Sequence, residues 1–237
     1  MSSSPEKFGS FGFGNKENVV DVFDADRSRV LRNTYWLLAL SMVPTVLGAW
    51  LGITLQFRGL VVGSPLISAL LFLGIAFGFF YAIEKFKNSS TGIVLLLGFT
   101  LFMGLMLSRI LQIYLAIPGG PQIIALAAGG TGLMFFGLAT YATTTKRDFT
   151  GMGKFLFVGL IMLLVASLAN IWLQLPALQM TIAVIAFGVF SAYLLYDLSR
   201  IINGGETNYI TATLAVYLDL YNIFVSLLQI LGFARDE

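Results

Sequence analysis

Beyond residue 33 the chain is written as seven apolar runs of 19–25 residues separated by short polar spacers. A helix needs about 20 residues at 1.5 Å rise to cross ~30 Å of hydrocarbon, so each run is long enough to span a bilayer. The pattern predicts spans over about 35–53, 65–83, 92–115, 121–141, 155–173, 178–202 and 209–233. Pro44 falls inside the first and is expected to bend it without ending it. The connections are too short to hold a folded domain between spans. The fold class expected is therefore an all-α integral membrane protein of seven transmembrane helices over residues 34–237. Residues 1–33 carry ten charged side chains and no apolar run that could serve as a signal peptide. They read as a soluble, disordered tail.

Composition supports this reading. Hydrophobic residues make up 57% of the 237 and charged residues 11%, against roughly 45–50% and 25% in soluble domains. The chain has no Cys and no His, which removes disulfides, thiolate zinc sites, His-ligated haem and every nucleophilic dyad or triad built on those residues. A net charge of +2 gives no footprint for nucleic acid. Basic residues instead follow topology. Eleven (Lys7, Lys16, Arg27, Arg29, Arg32, Lys85, Lys87, Lys146, Arg147, Lys154, Arg200) fall on the side of the tail and the even-numbered loops, and only Arg58 and Arg235 on the other. The positive-inside rule then puts the N-terminus in the cytoplasm and the C-terminus outside. Small-residue spacings at Gly48/Gly52, Gly74/Gly78 and Gly188/Ala192 are expected to serve ordinary helix packing.

Ionisable residues within a span cost several kcal/mol unless paired or hydrated, so they are the functional candidates. Arg109 lies within about two turns of the end of the third span and is expected to snorkel. Glu84, Lys85 and Lys87 read as a solvated anchor ending the second span, and Asn170 and Gln174 as interhelical hydrogen-bonding groups or a helix end. That leaves Asp197, near the end of the sixth span with Arg200 three residues on, and Asp219, about 15 Å into the seventh. A tight turn at Asn203, Gly204 and Gly205 joins the two spans, so the carboxylates differ in depth by about a turn. At three- and four-residue spacing Asn208, Ala212, Ala215, Asp219, Asn222, Ser226 and Gln229 form one stripe of small and polar side chains. Such a stripe cannot face lipid, which predicts that the last helix is central and enclosed by the other six. Two facing carboxylates in a poorly solvated site titrate as a unit and suit a proton sensor, and when ionised they offer oxygens to a hard cation such as Ca²⁺. The alternative is structural: Asp197 paired with Arg200, and Asp219 with a Tyr or Asn. No other catalytic group accompanies the pair, so an enzyme is not expected.

The stretch YLDLYNIFVSLLQILG, preceded by YDLSRIINGG, resembles the C-terminal signature of the Bax inhibitor family, the transmembrane Bax-inhibitor-motif proteins. VLRNTYWLL, NIWLQLPAL and GGETNYITAT resemble its bacterial branch, described as modulators of the membrane-anchored AAA protease FtsH. The resemblance implies a pH-sensitive calcium leak in the inner membrane, with Asp197 and Asp219 as the di-aspartyl sensor and transient calcium ligands. Arg200, Asn222, Ser226 and Gln229 would support them. In some members a basic residue ending the second helix latches the pair. Here Phe86 takes that place between Lys85 and Lys87, which are the possible replacements, with Arg200 as a further one. The branch implies a second role, as a modulator of FtsH, its inhibitor and its substrate, gripped by its N-terminal tail. Expected partners are thus lipid, protons, calcium and FtsH, with no resident cofactor beyond calcium as a permeant ion.

Overall fold

The computed structural model describes residues 16–58, 64–145 and 147–235, with side chains from residue 27 onward. Its long helices are α1 (Lys16–Thr54), α2 (Pro65–Phe86), α3 (Ser90–Leu115), α4 (Gly120–Thr144), α5 (Gly153–Leu173), α6 (Pro176–Ile202) and α7 (Tyr209–Phe233), with one 3-10 turn at Thr150–Met152 and no strand among the described residues. All seven are long and apolar enough to cross a membrane. The boundaries follow local chemistry. Ser64 accepts from the Ile67 amide and Pro65 starts α2, Pro176 starts α6, and Asn208 accepts from the amides of Ile210 and Thr211 to start α7. Gln174, in the left-handed region at φ 50°, ends α5, and Asn170 accepts there from the Leu175 amide. Of the two roles open to Asn170 and Gln174, they serve the helix end. Gly204, at φ 75°, turns the chain from α6 into α7 while the Gly205 amide donates to the Arg200 carbonyl.

One boundary differs from expectation. The helix ending at Thr54 starts at Lys16, so residues 16–33, read as part of a disordered tail, are helical. Between Lys16 and Pro44 there is no Gly or Pro to stop a helix, and Val30 and Leu31 pack against the core. Charge density concealed this, because charged residues are good helix formers where solvent covers them. The tail reading for residues 1–15, and the placement of Lys146, lie outside the described residues.

Helices α1 and α3 form the most intimate pair. A Cβ on Gly104 would collide with the Thr45 carbonyl, one on Gly48 with the Leu101 carbonyl, and one on Gly52 with the Ser108 side chain. Missing side chains let two backbones touch, which in lipid is the main source of helix affinity. Gly74, Gly78 and Gly188 face open space instead, so of the spacings noted only Gly48/Gly52 packs closely in this way. Helix α7 packs against α1, α2, α3, α4 and α6, while α5 joins the bundle through α6 and α2. No residue of α7 from Tyr209 to Phe233 is exposed, and the main core gathers around Val216, Tyr217, Leu220 and Ile223. Phe99 and Tyr217, both fully buried, meet edge to face there.

Candidate functional site

The site lies where the end of α6 meets the middle of α7. Asp197 and Asp219 are buried, at 9% and 4% exposure, and their carboxyls lie close enough to interact with each other. Measured from the turn, Asp197 lies six residues back and Asp219 eleven residues past Asn208, about 9 and 16 Å at helical rise. The side chains bridge that offset. One carboxylate oxygen of Asp219, Oδ2, is buried without a hydrogen-bond partner, an uncommon state for a buried polar atom. Tyr193, one turn before Asp197 on α6, lies within electrostatic reach of both carboxyls.

A chain of charged and polar contacts runs from this pair to the membrane edge. Arg200 Nη1 is 3.7 Å from Asp197 Oδ1, and its Nη2 is 3.5 Å from Glu206 Oε2. The guanidinium also lies over the Tyr196 ring, 5.7 Å from its centroid. Glu206 Oε1 accepts from the Asn208 amide and the Thr211 hydroxyl, both at 3.0 Å. Asn208, besides capping α7, donates through Nδ2 to the Lys87 carbonyl at 3.0 Å and to Asn88 Oδ1 at 2.9 Å. The buried carboxyls are thereby tied to the turn between α6 and α7 and to the connection between α2 and α3.

A second cluster closes the same end. Asp148, in the connection between α4 and α5, accepts from the Thr150 amide and hydroxyl, each at 2.9 Å, and from Ser199 Oγ and Asn203 Nδ2, each at 3.3 Å. The Phe149 amide donates to Ser199 Oγ at 3.1 Å. The Thr150 amide, then its hydroxyl, hold the Asp148 carboxyl below its ordinary range against an opposing effect of burial, with lesser help from Ser199 and Asn203. Since Ser199 lies between Asp197 and Arg200 in sequence, this connection is fastened to the stretch of α6 that carries them.

Other candidates are placed as follows. Asn222 is half-buried and donates back to the Leu218 carbonyl. Ser226 is buried and Gln229 half-buried, so the stripe continues inward of the lipid surface along α7. Lys87 pairs with Glu84, which holds its ammonium pKa up, and Lys85 lies over the Phe86 ring at 5.7 Å. Neither lysine pairs with the aspartates. The basic side chain beside Asp197 is Arg200. Arg109 is exposed on α3. Sequence reading did not single out Glu206, Tyr193, Asp148 or Ser199. Asp148 two residues before Thr150 had a local signature, since Asp accepting from an amide two residues on is a turn motif. Glu206 had none, because its role depends on where Arg200 arrives in three dimensions.

Comparison with known proteins adds a lineage. Residues 27–236 match the family described as Inhibitor of apoptosis-promoting Bax1. A Vibrio cholerae protein described as an uncharacterized membrane protein is 40% identical over 212 residues, covering 90% of this chain and 92% of the relative. The Escherichia coli K12 protein named Modulator of FtsH protease YccA is 42% identical over 209 residues, covering 88% of this chain and 92% of its own. A protein from E. coli strain CFT073 with the same identity and coverage is named an inner membrane protein.

Proposed function

We infer, from the premise that this chain belongs to the Bax inhibitor family of membrane proteins, that its Asp197–Asp219 pair is a proton sensor on a cation path and that the protein is a pH-sensitive calcium leak. The observation that carries the reading is the interaction between two buried carboxyls, one of them with an oxygen left unpartnered. Two carboxyl groups in contact hold a proton between them, and its loss leaves like charges facing each other in a poorly solvated site. That repulsion acts between α6 and α7, and the freed oxygens are of the kind a hard cation takes. Arg200 sits where it can neutralise Asp197 or turn to Glu206, so it fits the latch role better than Lys85 or Lys87. Asn222, Ser226 and Gln229 would line the path beyond Asp219. The test is flux into liposomes holding a calcium dye between pH 6 and 8. Wild-type influx should vary across that range, and in Asp219→Asn the variation should disappear. An unchanged pH profile in the variant would sink the sensor.

A second reading is favoured by the 42% identity to an E. coli protein named as a modulator of FtsH. On this reading the chain sits in the inner membrane with its N-terminus in the cytoplasm, binds the FtsH complex and presents residues ahead of α1 as the grip. Deleting residues 2–15 should lengthen the protein's half-life in cells carrying FtsH and leave it unchanged in cells lacking the protease. Equal half-lives of full-length and deleted protein would count against the grip.

A further inference from the structure

Both α1 and α4 pack on α7, yet their backbones stay apart, and between them runs a groove of about 630 Å³. One wall follows α1 from Tyr35 to Ile53, the other α4 from Ile124 to Phe135, and Tyr217 and Phe224 of α7 form part of the floor. The lining is almost wholly apolar. Its two threonines already spend their hydroxyls, Thr45 on the Ser41 carbonyl and Tyr217, Thr131 on the Ala127 carbonyl. Tyr35 Oη, also in the lining, is buried without a partner, but a single phenol does not replace the hydration of an ion, so the groove is not a polar path. Nor is it a seat for a helix, since a span 30 Å long and 10–12 Å across occupies ~2,500 Å³. Its volume lies within the roughly 300–1,000 Å³ of clefts that hold small ligands.

The groove-lining face of α1 continues past Tyr35 to Arg32, three residues earlier and hence on the same side of the helix, whereas Arg29, six residues before Tyr35, lies about 120° round the helix from it. Both arginines are exposed. At this mouth Tyr35 and Phe135 meet edge to face, 5.7 Å between centroids. From Tyr35 to Ile53 the wall is ~27 Å long, close to the whole hydrocarbon thickness, so a chain from one leaflet fills the half nearer Tyr35. Gly132 opens that half: a Cβ there would meet nothing within 4 Å.

We propose that the α1–α4 groove is a binding site for an anionic phospholipid of the leaflet at the N-terminal end of α1, its acyl chain along Met42 and Gly132 and its phosphate on Arg32. Guanidinium groups suit phosphate, and a positive mouth above a dry slot selects an anionic headgroup over a zwitterionic one.

The test uses the full-length protein in detergent, given equimolar phosphatidylglycerol and phosphatidylcholine, with bound lipid read by native mass spectrometry. Phosphatidylglycerol should be retained at least ~5-fold over phosphatidylcholine, the preference one basic residue near the surface confers. Arg32→Gln should bring the ratio to about one. Gly132→Leu should lower total retention several-fold, while Gly129→Leu, also facing open space but outside the groove lining, should leave it at the wild-type level. Equal retention of the two headgroups by the wild type overturns the proposal, and so does equal loss in both glycine variants. A second copy or a co-purifying polypeptide in place of lipid, released by Gly132→Leu, would make the groove a protein interface and likewise overturn it.

Discussion

Helices α5 and α7 are similar in length, 21 and 25 residues, and opposite in character. Along α5 most side chains face outward, among them Phe155 at 78% exposure and Met162 at 67%, and only Leu156 and Leu163 are buried. Along α7 no side chain is exposed, and the buried set includes Thr213, Asp219 and Ser226. In water the more apolar helix would be the inner one. With hydrocarbon as solvent, apolar surface has no reason to leave it, and a polar side chain does. The contrast shows that polarity sorts these helices by depth in the bundle.

Exchanging the two characters breaks the contrast most severely. Met162→Asp places a carboxylate on the lipid face of α5, at a cost of about 2.5–3.5 kcal/mol near a helix centre, and should cut the yield of inserted protein by more than tenfold in a glycosylation or protease-protection assay. Native yield from that variant would show that α5 is covered by something other than lipid. A smaller effect is expected where backbones touch. Gly104→Ala puts a methyl against the Thr45 carbonyl and should destabilise the α1–α3 pair by ~1–3 kcal/mol, the usual range for overpacking, seen as a lower melting temperature. Gly74→Ala, facing open space, should leave the melting temperature unchanged or slightly raised. The smallest effect concerns the connection between α4 and α5. A carboxyl held below its ordinary range steadies its surroundings at pH values above that range and stops doing so as pH falls through its lowered value. Amide exchange at Phe149 and Thr150, corrected for intrinsic rates, should therefore stay protected from pH 7 to about 5 and lose protection only below about 4. In Asp148→Ala the protection should be low throughout. Parallel pH profiles in the two proteins would remove Asp148 from this role.

Much of this arrangement was legible in the sequence because lipid imposes long uniform runs. Seven spans and the stripe on the last one can be read from spacing alone, and the stripe already marks α7 as an inner helix. The juxtaposition of Asp197 and Asp219 follows from a short turn with two antiparallel neighbours. What stayed hidden depends on side chains crossing between elements. Glu206 precedes α7 as an ordinary loop acid until Arg200 reaches it, and Asp148 lies 51 residues from the Ser199 it engages. The start of α1 was concealed differently: ten charges over 33 residues suggest a solvated tail, but solvation and helicity are compatible. The gap between α1 and α4 has no sequence signature, since both walls read as plain lipid-facing surface.

The glycine contact between α1 and α3 also has a consequence in time. Both partners are made early, as the first and third spans, and their backbones can zip together while later segments are still on the ribosome. The span that carries the buried Asp219 emerges last of the seven. Its lodging among α1, α3, α4 and α6 can therefore be waiting when it enters, so the segment least suited to lipid spends the shortest interval exposed to it.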